Sequence, residues 1–177
     1  MSATPDPFAT LEIEPRFDLD IAALEARKKE LARALHPDRF AQSPATERRM
    51  ALGRAIEVNE AFRALRDPIR RAEALARKMD LPVGETSEPK PDPELLMEMM
   101  EAREDLAAAA KARDEKQLAA LAAAMREREK AAISALTEAF GDPARRETIL
   151  PKLGELRYVR RFLDEAANFE ELAEARA

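Results

Sequence analysis

The chain holds one histidine and no cysteine among its 177 residues, and that histidine, His36, is followed directly by Pro37 and Asp38. An imidazole and a carboxylate two residues apart are the pieces of an acid–base pair. Catalysis of that kind also needs a third orienting group, a nucleophile or a glycine-rich substrate loop, and none accompanies them. No enzyme is therefore expected. The proline between them suits a different task. It stiffens the backbone and so lowers the entropy cost of presenting His36 and Asp38 to another molecule. An anionic Asp38 can then form a charge-assisted pair with an arginine of a partner. The plainer alternative is that a helix ends at His36, where histidine suits the negative end of the dipole, and that Pro37 is only the stop.

The remaining composition narrows the chemistry further. Without cysteine there is no disulfide, thiolate ligand or cysteine nucleophile, and one histidine makes no imidazole cluster. No metal or other cofactor is expected. Thirty basic and 35 acidic residues are interspersed, for a net charge of −5, so no basic field recommends nucleic acid or an anionic membrane. The expected partner is a protein. Met1 to Phe8 is acidic and contains proline, lacks a basic start followed by an apolar run, and no later stretch has the length to cross a bilayer. The expected location is a reducing cytoplasm.

The elements that position His36 are legible from punctuation and period. Ala, Leu, Glu and Arg dominate and aromatics make up 5%, a composition suited to helices, so the fold is expected to be all-α. Asp6-Pro7-Phe8 predicts a short helix to about Leu11, stopped by Pro15. A second helix is expected from Asp18–Asp20, with Ile21, Leu24, Leu31 and Leu35 at helical spacing before His36-Pro37. Ser43-Pro44 predicts the start of a third, with Met50, Ile56, Phe62 and Leu65 as its apolar positions, ending at Asp67-Pro68. The result is an antiparallel helical hairpin with His36-Pro37-Asp38 in its loop. Pro68 opens a short helix through Leu75 and Met79. Residues 1–80 then form one domain and 81–91, rich in proline, a linker.

Residues 92–177 are expected to form a three-helix bundle. One helix from Pro93 to Pro143 would run about 75 Å, too long for a small domain, so a turn is placed near Ala112–Glu115. Asp142-Pro143 predicts the last helix, with Ile149, Leu153, Leu156 and Leu163 on its apolar stripe and Pro151 in its first turns. On the helix after Pro93, Leu95, Met99, Ala102, Leu106 and Ala109 make one narrow stripe at 100° per residue. Leu96, Met97 and Met100 lie off it, beside Glu101 and Glu104. Such a patch is either buried by the first domain or used for binding, and flexible methionines suit recognition.

The first domain resembles a J domain. The resemblance is carried by Lys28, Lys29 and Arg33 on the second helix, by His36-Pro37-Asp38-Arg39-Phe40, and by Asn59-Glu60-Ala61-Phe62-Arg63-Ala64-Leu65 on the third. It implies that the loop, Arg39 included, docks on the ATPase domain of a DnaK-type chaperone and that the basic second helix, with Lys28, Lys29 and Arg33, meets an acidic surface. Three basic residues on a helix are otherwise an ordinary solvated face. Nearly the whole chain is similar to the HscB family, on Asp67-Pro68-Ile69-Arg70-Arg71-Ala72-Glu73 and on Leu95 to Leu106. That likeness implies pairing with an HscA-type chaperone and delivery of the iron–sulfur cluster scaffold IscU. It also implies that Leu96, Met97, Met100, Glu101 and Glu104 meet the scaffold, with an aromatic of the final helix, Tyr158 or its neighbour Phe162. Tyr158 is the expected one; a lone tyrosine otherwise covers a helix interface with its hydroxyl in water. Ala74, Ala102 and Leu35 depart from the larger or aromatic residues common in the family. The absence of a cysteine-rich zinc module fits the bacterial type. Two other readings stand beside this one: a general J protein with an unrelated client, and a self-associating helical protein.

Overall fold

A computed structural model of the chain describes residues 5–84, 90 and 92–174, with side chains as far as Phe169. Residues 1–4 of the acidic Met1–Phe8 stretch, residues 85–89 and 91 of the expected linker and residues 175–177 of the expected bundle lie outside the described residues. The architecture is all-α, with α1 (Pro7–Leu11), α2 (Ile21–Ala34), α3 (Ala45–Arg66), α4 (Pro68–Lys78), α5 (Pro93–Ala112), α6 (Glu115–Gly141) and α7 (Ile149–Glu174). Aspartate side chains accept backbone N–H bonds at the starts of α1, α2, α4, α5 and α6. Each such cap is worth about 0.5–2 kcal/mol, so helix starts follow local chemistry. At α3 the cap residue is Pro44, not Ser43, and no side-chain cap bond is made. The chain divides into two compact units at Leu81/Pro82.

In the first unit α1 and α2 pack on α3, around Phe8, Leu11, Leu24, Val58 and Leu65. Arg27 ties α2 to the end of α1, donating to the Leu11 carbonyl at 3.0 Å and pairing with Glu12 and with Glu30. The buried Arg71 of α4 donates to the Leu65 carbonyl at 3.0 Å and lies over the Phe17 ring at 4.9 Å. Burial pushes its guanidinium below the ordinary arginine value, against the opposing pull of Asp67 and Asp18. The expected apolar stripe of α3 is wrong in two places. Met50 and Ile56 are exposed, and Ala51, Val58, Ala61 and Leu65 face the core. Small alanines let neighbouring helices approach, and this sets the helix's phase where hydrophobicity alone favours the larger side chains.

The second unit is a bundle in which α6 runs against α5 and α7. Arg128 of α6 pairs with Glu98 of α5 at 2.8 Å and with Glu155 of α7 at 2.9 Å, and Arg103 of α5 pairs with Glu165 of α7 at 3.2 Å. Both helices thus ascend together, α5 parallel to α7. The turn between α5 and α6 falls at Arg113, which adopts left-handed backbone with φ 56°, and Asp114 then caps α6. The last helix begins later than expected. Pro143–Thr148 is a 3-10 segment, and Pro151 follows within the first turn of α7, where a missing N–H leaves no bond unmade. The α7 stripe also differs: Phe162 is fully buried with Val159 and Ala166, while Leu163 lies on the flank.

Candidate functional site

Pro37–Phe40 is a single 3-10 turn between α2 and α3, so the tripeptide sits on a shaped corner. Pro37 occupies its first position, and the His36 imidazole Nδ1 accepts the Asp38 backbone N–H at 3.3 Å. The same nitrogen is 3.4 Å from Asp38 Oδ2. Both side chains are open to solvent, with 58% of His36 and 89% of Asp38 exposed. Arg39 is exposed beside them. A carboxylate presented in this way, with no burial and no orienting network, is suited to meeting a cation of another molecule and not to proton transfer in a cavity.

The basic residues of α2 separate into two groups. Lys29 and Arg33, one turn apart, are exposed and near the loop. Lys28 is half-buried, its ammonium 5.6 Å from the Phe62 ring centre. It therefore contributes to the α2–α3 contact as well as to the charge of the face.

In the second unit the structure brings the residues of α5 beside those of α7. Met97 and Met100 are 64% and 63% exposed, and Glu101 and Glu104 are exposed with them. Leu96, of the same off-stripe group, is half-buried and lines a groove that Tyr158 of α7 also lines. Tyr158 is half-buried against the bundle core, with the Arg161 guanidinium 6.0 Å from its ring centre. Phe162 is withdrawn from contention as a surface aromatic, since it is wholly inside. The groove is open, about 1360 Å³, and exceeds the roughly 300–1,000 Å³ of small-molecule pockets. Arg161 was missing from the sequence reading. Its spacing from Tyr158, one turn along the same helix, was the available signal.

A family profile described as the HSCB C-terminal oligomerisation domain matches residues 91–167. A co-chaperone protein HscB homolog of Haemophilus influenzae is 34% identical over 139 residues, spanning 76% of this chain and 78% of that protein. The chain belongs to the HscB family. HscB homologs of Shewanella halifaxensis and Photobacterium profundum are 38% and 36% identical, and the alignments span 57% and 63% of those proteins' lengths. Among solved structures, the chaperone HscB from Vibrio cholerae matches with a TM-score of 0.82 at 26% identity, over 96% of this chain and 99% of that one. The human co-chaperone protein HscB matches with a TM-score of 0.84 at 25% identity, over 96% and 84%. The HscB fold accordingly accounts for both units, a J domain followed by a helical bundle. Among the described residues no helix is long and apolar enough to cross a membrane, and no group of three or more His, Cys, Asp or Glu side chains could hold a metal.

Proposed function

We propose that this HscB-family chain is a co-chaperone of iron–sulfur cluster assembly that activates the ATPase of an HscA/DnaK-type chaperone and presents an IscU-type scaffold to it. The observation that carries the reading is an exposed His36-Pro37-Asp38 corner in one unit and an exposed Met97–Met100 face in the other. His36, Pro37, Asp38 and Arg39 contact the chaperone, with Lys29 and Arg33 steering the encounter and Lys28 supporting it. Leu96, Met97, Met100, Glu101, Glu104 and Tyr158 contact the scaffold. The chain itself turns over no substrate.

The test is a steady-state ATPase assay of the cognate chaperone with and without this protein and the scaffold. Asp38→Ala or His36→Gln is expected to abolish stimulation while the circular dichroism spectrum stays helical, because an exposed corner carries little of the core's stability. Retained stimulation in both variants refutes the reading. A second reading is favoured by the description of the matching family profile, which speaks of oligomerisation. In it the α5–α7 face meets a second copy of the chain. Sedimentation distinguishes the two, since a stable oligomer abolished by Met97→Ala with Met100→Ala supports self-association.

A further inference from the structure

The α5–α7 face carries exposed carboxylates on α5 and an exposed guanidinium on α7. Glu101 and Glu104 project from α5 and take no part in the groove, whereas Arg161 lines the groove from α7 next to Tyr158. Lys90, Arg128, Lys152, Arg157 and Arg161 are the cationic residues that line the groove; Arg128 pairs with Glu98 and Glu155, and Lys152 with Glu155 at 2.8 Å. Arg161 is exposed and pairs with no carboxylate among the described residues.

We infer that Arg161 is a specificity-determining residue of the docking face, placed to bind a carboxylate of the partner at the edge opposite Glu101 and Glu104. The inference rests on the proposed docking role of this face. The ring of Tyr158 holds the guanidinium within cation–π range, which reduces its freedom before binding and leaves its planar fork of N–H donors for a carboxylate. The occupant that fits is a protein with an apolar ridge, a basic group on the side meeting α5 and an acidic group on the side meeting α7. This polarity sets the direction in which the partner lies, because the reversed pose places like charges together at both edges.

The experiment is a titration of the full chain with the IscU-type scaffold at low and at physiological ionic strength, using Arg161→Glu, Arg161→Lys and the pair Met97→Ala with Met100→Ala. Helix content and a denaturant melt confirm that each variant folds. Arg161→Glu is expected to weaken binding by about tenfold or more and to flatten its salt dependence, while Arg161→Lys keeps the salt dependence and loses a few-fold. If the methionine pair abolishes binding and Arg161→Glu binds like the wild type, the role of Arg161 is overturned and the docking face stands. If Arg161→Lys is as damaging as Arg161→Glu, the carboxylate contact is overturned. If no variant changes the affinity, or the wild type does not bind, the docking reading falls and the inference with it.

Discussion

Met99 is 4% exposed while Met97 and Met100, its near neighbours on α5, are 64% and 63% exposed, so one short stretch holds both core and surface methionines. Removing side-chain atoms from the two settings has different costs. Leu106, wholly buried in the same stripe as Met99, leaves a cavity when truncated, and Leu106→Ala is expected to cost about 2–5 kcal/mol. Met97→Ala with Met100→Ala removes exposed atoms and is expected to cost within about 1 kcal/mol in total. Denaturant melts of the two variants check this. A large loss in the methionine pair means that the face is a packed interface. Leu96 does not belong in the neutral set, because it is half-buried and its truncation removes contacts within the bundle.

At the scale of elements, charge does separate work in each unit. On α2, Lys29 and Arg33 are exposed, whereas Arg27 on the same helix is tied to Leu11, Glu12 and Glu30. Association with the chaperone is therefore expected to weaken as salt rises through the physiological range, and Lys29→Ala with Arg33→Ala is expected to flatten that dependence. Titrations at several ionic strengths check it, and an affinity independent of salt in the wild type means that these residues are only a solvated face. In the bundle, burial alone raises the Glu155 carboxyl, but Lys152 and Arg128 outweigh it and hold the group below the usual carboxylate range. Its contribution to stability is thus fully present above the unfolded glutamate value, about 4.3, and is lost as pH falls through the lower folded value. Stability is expected to be flat from neutral pH to about pH 5.5 and to decline below about pH 4, with a shallower decline in Glu155→Gln. Urea melts across this range measure it; an unchanged decline in the variant rules Glu155 out as a source.

For the whole molecule, the two sets of residues lie in separate compact units, so their lesions are expected to be separable. Asp38→Ala is expected to remove ATPase stimulation and retain scaffold binding, whereas the Met97/Met100 pair is expected to lose scaffold binding and retain stimulation by the J domain. Assaying both activities on both variants decides it. Loss of both activities in either variant shows that the sites act through one another.

The all-α class, the helix starts at Asp6, Asp20, Asp67 and Asp92, the turn near Arg113 and the corner at His36-Pro37-Asp38 were all legible in the sequence. They are local: an aspartate cap, a proline or a helical period acts within a few residues of itself. The sequence also set apart Met97 and Met100 from Met99 through the 100° rule, because the core stripe of α5 is regular. Only tertiary packing decided the rest. The burial of Ala51 and Ala61 in place of Met50 and Ile56 and the withdrawal of Phe162 into the bundle depend on how closely neighbouring helices approach. So does the meeting of Leu96 with Tyr158 and Arg161, which lie more than sixty residues further along the chain. Periodicity gives the phase of one helix about its own axis, and a shared face requires the phase and height of two. The paired contacts Arg128–Glu98, Arg128–Glu155 and Arg103–Glu165 supply that registration, and it arises from distances between helices that no single segment encodes.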